Sequence, residues 1–166
     1  MSILPWPIES GSVDCIWASH ILEHFDYNEV QDVIAECYRV LKDGAPMRMT
    51  CPDPRKFIAA FQSNNTKYIV DTLQPSSWAA FDYEHHLNWG YTDMFFPGRI
   101  DHALCSSIDL ISIFLIRAGF KKLKEMDYKS TEFPKVFGSG DKMIDIRPVC
   151  FGPDPVFLSW FLEASK

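Results

Sequence analysis

The side chains best suited to binding a metal are concentrated in the middle of the chain, in the group Asp82, Glu84, His85, His86, Asp101 and His102. Histidines and carboxylates are ligands that zinc and iron use in proteins. The spacing matches no specific metal motif, and adjacent residues of an extended segment point to opposite sides. We therefore predict no metal site here and interpret His85 and His86 as residues of a surface or substrate-side loop.

Ser19 and His20 stand at the end of the first apolar run, which extends from Val13 to Ser19 and follows the turn-like residues Glu9 to Ser12. A short apolar run between polar boundaries predicts a buried strand. Open α/β sheets bind their ligands at the C-terminal ends of strands. Ser19 and His20 are therefore candidate ligand contacts, with capping of the following helix as the alternative.

Asp53 follows a second short apolar run, Pro46–Cys51, and directly precedes Pro54. Aspartate accepts hydrogen bonds from the first amide groups of a helix, and proline is favoured in the first helical turn. The pattern predicts a strand over Pro46–Cys51 and a helix from Pro54 to about Gln62, with Asp53 as its N-cap.

The clearest helical pattern lies between these two strands. Apolar residues recur at helical spacing over Glu29–Leu41 and predict an amphipathic helix. We expect Asn28 and Gln31 to form its capping box and Asp43-Gly44 to end it.

The remaining elements are predicted from apolar runs and their boundaries. They are a helix over Ser106–Arg117 closed by Gly119, strands within Phe120–Tyr128 and Met143–Phe151, and a terminal helix over Pro155–Ala164. Thr66–Leu73 is expected to form a turn or two of helix, and Gln74–Cys105 a long irregular loop or insertion. Alternating strands and helices predict one α/β domain, 1–166, with a mostly parallel sheet and flanking helices.

Composition narrows the class of protein. The chain is 47% hydrophobic and 23% charged, which is typical of a compact soluble domain. Its net charge is -6 and its longest basic run is Lys121-Lys122, so we expect neither nucleic-acid nor anionic-membrane binding. Five cysteines without a Cys-x-x-Cys pair predict reduced thiols. The sequence has no recognisable leader and no apolar run of about 18 residues, which predicts a cytoplasmic location.

Six blocks of sequence follow one another in a characteristic order. They are Leu4-Pro5-Trp6-Pro7, Gly11-Ser12-Val13-Asp14, Ala18 to His24, Tyr38 to Gly44, Met47 to Asp53, and Ile116 to Phe120. Together they resemble the small class I S-adenosylmethionine-dependent methyltransferases. The resemblance implies a partial Rossmann-like methyltransferase sheet with strands that correspond to the family's fourth to seventh. It also implies methyl transfer to a nucleophile, for which the protein aligns the two reactants and excludes water.

The resemblance also implies contacts with S-adenosylmethionine. By it, Ser19 and His20 face the cofactor or the substrate at the end of the fourth strand, and Leu4 and Pro5 lie beside the adenine. An ordinary extended segment stiffened by proline explains Leu4 and Pro5 equally well.

Three residues are substrate-side candidates by the same resemblance. Asp53 matches the family's acidic residue after the fifth strand, although its N-cap role is a sufficient explanation. The stretch from His86 to Tyr91 (HLNWGY) resembles a substrate-facing loop of the family, and this assigns His85 and His86 to that loop. The acceptor implied is a small molecule or a glycan.

The glycines depart from the family pattern. Relatives carry a glycine-rich turn between a strand and a helix, where the backbone approaches the cofactor. The glycines here, at positions 11, 44, 90, 98, 119, 138, 140 and 152, form no such turn. We therefore interpret the chain as the C-terminal half of such an enzyme, N-terminally incomplete.

A chain without the first three strands would expose the strand Val13 to Ser19 as an apolar edge, which seeks a pairing partner. We expect either a homodimer through this strand or a missing N-terminal half. Two further interpretations stay open, namely a non-catalytic structural or dimerisation module, and one subunit of a split enzyme.

Overall fold

The computed structural model describes residues 4–63, 107–139 and 159–166. Their elements, in chain order, are β1 (Ile16–Ser19), a short 3-10 helix (Leu22–His24), α1 (Tyr27–Val40), β2 (Pro46–Pro52), α2 (Pro54–Gln62), α3 (Ile108–Ala118), β3 (Lys121–Met126), α4 (Pro134–Phe137) and β4 (Ser159–Ser165). The predicted helix at Thr66–Leu73, the loop at Gln74–Cys105 and the strand at Met143–Phe151 lie outside the described residues.

The four strands form one mixed sheet in the order β1-β2-β4-β3. β1 pairs with β2 in parallel, and β4 is antiparallel to both of its neighbours, β2 and β3. β1, β2 and β3 therefore run in one direction and β4 alone runs against them. The α/β class is confirmed, and the parallel arrangement is interrupted by one central antiparallel strand.

The terminal segment corrects the prediction of a helix over Pro155–Ala164, because Ser159–Ser165 is a strand. All seven of its residues are buried, and Leu162 pairs with Met49 on one side and Glu125 on the other. Periodicity alone does not separate a buried strand from a buried helix in so short an apolar run. This segment is a strand because its backbone pairs with β2 on one side and with β3 on the other.

One face of the sheet packs against α1 and α3 to form the main core. The strands contribute Ile16, Ala18, Met47, Met49, Cys51, Trp160, Leu162 and Ala164, and the helices contribute Val30, Val33, Ile34, Cys37, Ile108, Ile111, Phe114 and Leu115. None of the helices in the described part of the chain is long and apolar enough to cross a bilayer.

The start of α1 differs from its prediction. The capping box is formed by Asp26 and Glu29, two residues before the predicted pair Asn28 and Gln31. Asp26 Oδ1 accepts hydrogen bonds of 2.8 Å from the backbone N of both Asn28 and Glu29. Gln31 instead donates to the carbonyl of Tyr27. The box requires an extended residue before the helix, and that residue is Asp26.

The other helix boundaries agree with the sequence patterns. α2 spans the predicted range, and α3 begins after Ser107, whose Oγ accepts from the backbone N of Leu110. α3 ends at Gly119, which has the left-handed φ of 108°. Glycine adopts this conformation without the steric penalty of a Cβ.

Candidate functional site

The ends of three strands lie together at one end of the sheet, which we call the strand edge. His20 follows β1, Asp53 follows β2, and Ser159 begins β4 directly opposite Pro52. The backbone N of His20 donates to the carbonyl of Thr50 at 2.9 Å, which fixes the chain as it leaves β1. This edge holds the C-terminal ends of β1 and β2, where open α/β sheets bind ligands.

The imidazole of His20 lies between two oxygen-bearing side chains. Its Nε2 is 2.7 Å from Ser159 Oγ, and its Nδ1 is 3.2 Å from Glu23 Oε1. Glu23 is 1% exposed and sits on the short helix immediately after His20. The ring thus reaches past the end of β2 to join β1 to β4, a contact that helix capping alone does not require.

Asp53 performs the predicted N-cap role, because its Oδ1 accepts from the backbone N of Arg55 at 3.0 Å. Its carboxylate also binds the Arg55 guanidinium, with both N–O distances at 2.9 Å. Arg55 reaches Glu125 Oε1 at 2.5 Å as well. The hydrogen bonds to Asp53 and Glu125 raise the pKa of Arg55 above its ordinary value. The substrate-side role of Asp53 stays a prediction.

Lys56 connects α2 to the start of β4. Its Nζ donates to the carbonyl of Ser159 at 2.6 Å. Burial lowers the pKa of Lys56, with the charge of Asp53 acting against that shift. Ser159 is therefore held on two sides, by Lys56 at its carbonyl and by His20 at its hydroxyl.

A pocket of about 420 Å³ opens beside these residues. It is lined by Asp53, Arg55, Lys56, Ala59, Glu125, Met126, Asp127, Tyr128, Ser159, Trp160 and Phe161. This volume falls in the range of small-molecule sites, and the lining combines aromatic rings with a few charged groups, as such sites do.

The segment that carries Leu4 and Pro5 lies along α1. The backbone N of Trp6 donates to Glu36 Oε1 at 2.7 Å, and Arg39 donates to the carbonyl of Trp6. The hydrogen bond from Arg39 lowers the pKa of Glu36 and keeps this anchor ionic. The structure thus gathers His20 and Asp53 at the strand edge and anchors the Leu4–Pro5 segment on the helix.

The remaining sequence candidates are only partly described. Ser19 pairs with Thr50 at the end of β1, directly before His20. His85 and His86 lie outside the described residues, as does the whole group of potential metal ligands around them. Among the residues that are described, no cluster of three or more His, Cys, Asp or Glu side chains is arranged to hold a metal.

The sequence did not identify Arg55, Lys56 and Ser159 as residues of this edge, and Glu23 was interpreted from it as a helix residue that packs or pairs locally. The contact of Glu23 with His20 could have been predicted, because a residue three positions further on lies on the same side of a helical turn. The contact of Ser159 with His20 could not, because Ser159 comes 139 residues after His20 and in a segment predicted to be helical.

Comparisons with known proteins give a likeness in fold and, over part of the chain, in sequence. Residues 1–48 match the family model described as a methyltransferase domain. The structure is similar to a SAM-dependent methyltransferase from Archaeoglobus fulgidus, with a TM-score of 0.51 and 14% identity over 96% of this chain and 62% of that one. A search of curated proteins finds no match.

Two further solved structures are similar at lower scores. A possible histamine N-methyltransferase from Thermotoga maritima has 13% identity over 97% of this chain and 60% of that one, with a TM-score of 0.48. Phosphoethanolamine N-methyltransferase 2 from Haemonchus contortus, solved in complex with S-adenosyl-L-methionine, has 11% identity over 97% and 35%, with a TM-score of 0.48.

The chain therefore has the α/β fold of SAM-dependent methyltransferases, and its N-terminal part matches their domain family. This confirms the resemblance seen in the sequence. The chain spans 62% of the length of the Archaeoglobus fulgidus protein.

The described residues do not include the glycine-rich turn that the resemblance implies. Their glycines with positive φ are Gly11, Gly44, Gly119 and Gly138. Two of these precede strands and two follow helices, so within the described ranges none forms a strand-to-helix turn that would let the backbone approach a cofactor.

Proposed function

We propose that this chain is the acceptor-side half of an S-adenosylmethionine-dependent methyltransferase. The observation that carries the proposal is the pocket at the strand edge, found in a chain whose first 48 residues match a methyltransferase domain. In this proposal β1, β2 and β3 correspond to the family's fourth, fifth and sixth strands. The sequence assigned the seventh to the predicted strand at Met143–Phe151, and the proposal assigns it to β4 instead. The acceptor is a small molecule or a glycan of a size that the pocket admits.

Each candidate residue has a role in this proposal. Ser19 and His20 contact the cofactor or the reacting group, and Leu4 and Pro5 lie beside the adenine. S-adenosylmethionine, when bound, supplies the methyl group. Tyr128 and the other pocket residues orient the acceptor and exclude water from it, which is the main contribution a protein makes to such a displacement.

Asp53, His85 and His86 are assigned to the acceptor side. Asp53 supports this role through its position in the pocket lining, although the Arg55 guanidinium already holds its carboxylate. A cytoplasmic location remains a prediction from the sequence.

The second part of the proposal concerns the outer side of β1, which no described strand covers. β1 pairs with β2 on one side, and no strand of the described residues lies on its other side. An unpaired edge presents a row of amide and carbonyl groups to a further strand. We assign that position to an N-terminal half carrying the glycine-rich turn, either on the same gene product or on a separate subunit. A second copy of the chain would cover the edge but would bring no such turn.

Calorimetric titration with S-adenosylmethionine and S-adenosylhomocysteine, together with a mass determination by sedimentation, tests the proposal. Binding with micromolar affinity is expected for the chain joined to its N-terminal half, and it should weaken in His20→Gln. Lys42→Ala is the matched control, because Lys42 pairs with Asp14 at the opposite edge of the sheet. Failure of the completed protein to bind either compound would contradict the proposal.

The β1 edge, which none of the described strands covers, and the glycine pattern also favour a second function, a non-catalytic dimerisation module derived from a methyltransferase. A folded chain that sediments as a dimer and binds neither compound, even when it is joined to the N-terminal half, would support this alternative. A monomer that binds S-adenosylmethionine would exclude it.

A further inference from the structure

We propose that Glu23, His20 and Ser159 form a proton-accepting relay that reaches the pocket through Ser159, one of the residues that line it. The relay implies an acceptor whose reacting group must lose a proton, either a hydroxyl or a protonated amine. This inference deepens the proposed function and rests on it for the nature of the reaction. The relay itself is a property of three side chains and is testable without any cofactor.

The three side chains have the types that general-base relays use. A hydroxyl lies at the hydrogen-bond distance of 2.7 Å from Nε2 of the imidazole, and Oε1 of Glu23 lies 3.2 Å from Nδ1 in an ion-pair contact without hydrogen-bond geometry. A base must be within hydrogen-bond reach of the proton it accepts, and a third group commonly orients that base. His20 is the base in this arrangement, Ser159 carries the proton to it, and Glu23 positions the ring.

The position of Glu23 indicates the direction of proton movement. Its side chain is 1% exposed and its Oε1 lies 3.2 Å from Nδ1, so that a proton on that nitrogen faces the carboxyl group. With a proton on Nδ1, the neutral ring has a lone pair on Nε2. Ser159 must then donate its hydroxyl proton to Nε2, which leaves the oxygen lone pairs of Ser159 for the contents of the pocket.

The backbone of His20 supports a functional role for the ring. Its φ is 48°, in the left-handed region that side-chain-bearing residues rarely adopt. Such conformations persist where the surrounding structure enforces them, and they cluster at functional sites. In His20 this conformation accompanies a ring that faces β4, because the backbone N is held by Thr50 and the ring by Ser159.

The proton transfer balances without any further reactant. The bond between the acceptor atom and its hydrogen breaks, and that proton passes to Ser159 Oγ while the original hydroxyl proton passes to His20 Nε2. The acceptor is left as an alkoxide, a phenolate or a neutral amine, and the electron pair of the broken bond stays on it. Ser159 ends unchanged, and His20 ends as an imidazolium beside Glu23.

Imidazole NMR of the uniformly 15N-labelled chain tests the relay directly. Long-range 1H–15N correlations identify which nitrogen carries the proton, and through-bond assignment from the backbone identifies His20 without a variant. We expect the neutral ring to carry its proton on Nδ1. Glu23→Gln should increase the population with the proton on Nε2, and Ser159→Ala should leave the proton on Nδ1. A proton on Nε2 in the unaltered chain would overturn the relay, because Nε2 could not then accept one.

Kinetics of the protein completed with its N-terminal half provide the second test, with simple phenols and primary amines as acceptors. Ser159→Ala and Glu23→Gln should each lower kcat about 100-fold or more, the range of general-base catalysis, with KM nearly unchanged. Ser12→Ala is the control, because its hydroxyl bonds to the Glu9 carbonyl away from this edge. Unchanged kcat in both variants would overturn the relay. If Nδ1 carries the proton but no methyl transfer occurs, the proposed function fails and the relay stands.

Discussion

Arg48 and Glu163 face each other across β2 and β4, and Arg48 Nη1 donates to Glu163 Oε1 at 2.6 Å. Their side chains are 2% and 1% exposed, so the pair is fully buried. The guanidinium lies over the rings of Phe161 and Trp17, at 5.3 Å and 5.9 Å from their centroids. The pair thus forms the centre of the sheet face opposite the main core.

The same pair holds the chain that follows β3. Arg48 donates to the carbonyl of Ser130 at 2.9 Å, and Glu163 Oε2 accepts from the backbone N of Glu132 at 2.8 Å. Both charges therefore have partners in addition to each other, as buried charges require, although Arg48 Nε is buried with no hydrogen-bond acceptor among the described residues.

Removing one member of this pair should destabilise the protein severely. Glu163→Leu leaves the Arg48 charge buried without its counterion, and we expect the free energy of unfolding to fall by about 3–5 kcal/mol. Urea denaturation measures the change. The double variant Arg48→Met/Glu163→Leu should lose less than either single variant, because no uncompensated charge remains. Additive losses would contradict this account.

Gly119 should tolerate alanine less well than Gly44 does. Both have positive φ, at 108° and 76°, but a Cβ on Gly119 would lie 2.9 Å from Cζ of Tyr38, whereas a Cβ on Gly44 would meet open space. We expect Gly44→Ala to cost about 1–2 kcal/mol from backbone strain, and Gly119→Ala about 1–3 kcal/mol more from overpacking. Thermal denaturation of the two variants measures the difference, and equal losses would show that the contact with Tyr38 relaxes freely.

The N-cap of α1 can be tested in the same way. Asp26→Ala should lower the free energy of unfolding by about 1 kcal/mol, because two amide groups lose their acceptor. Asn28→Ala is the matched control, since Asn28 contributes only its backbone N to the box, and its effect should stay within about 0.5 kcal/mol. A larger loss of stability in Asn28→Ala than in Asp26→Ala would show that the cap is Asn28, as the sequence predicted.

Cys15 and Cys37 should differ in their reactivity towards an alkylating reagent. Cys15 is exposed and Cys37 is buried, and burial raises the pKa of Cys37 from 9.0 to about 12. Iodoacetamide at pH 8 should therefore label Cys15 and leave Cys37 unmodified in the folded protein, as peptide mapping would report. Labelling of Cys37 at a similar rate would contradict its burial.

The raised pKa of Cys37 also predicts a loss of stability with increasing pH. The unfolded thiol ionises near 9.0 and the folded thiol near 12, so the folded state binds more protons in this window. The stabilisation is present below the unfolded pKa and falls by about 1.4 kcal/mol per pH unit above it. Because other groups also titrate there, Cys37→Ala is the reference, and its stability should fall less steeply between pH 9 and pH 11.

Local patterns in the sequence determined much of the first part of the fold. α1, β2 and α2 lie where periodicity and short apolar runs predicted them, and Asp53 and Gly119 cap and end helices as expected. Such features depend on residues within one or two turns of each other, which is why they are legible in a single sequence. The position of Ser19 and His20 at the end of a strand was also predicted correctly, and their role as ligand contacts stays a prediction.

Tertiary structure alone decided the nature of β4 and the composition of the site. Ser159–Ser165 is a strand because it fills the position between β2 and β3, and this position depends on hydrogen bonds to segments far away in sequence. His20 meets Ser159 across 139 residues, and Arg48 meets Glu163 across 115. No local propensity encodes such pairs, since they form only when the sheet brings distant strands into register.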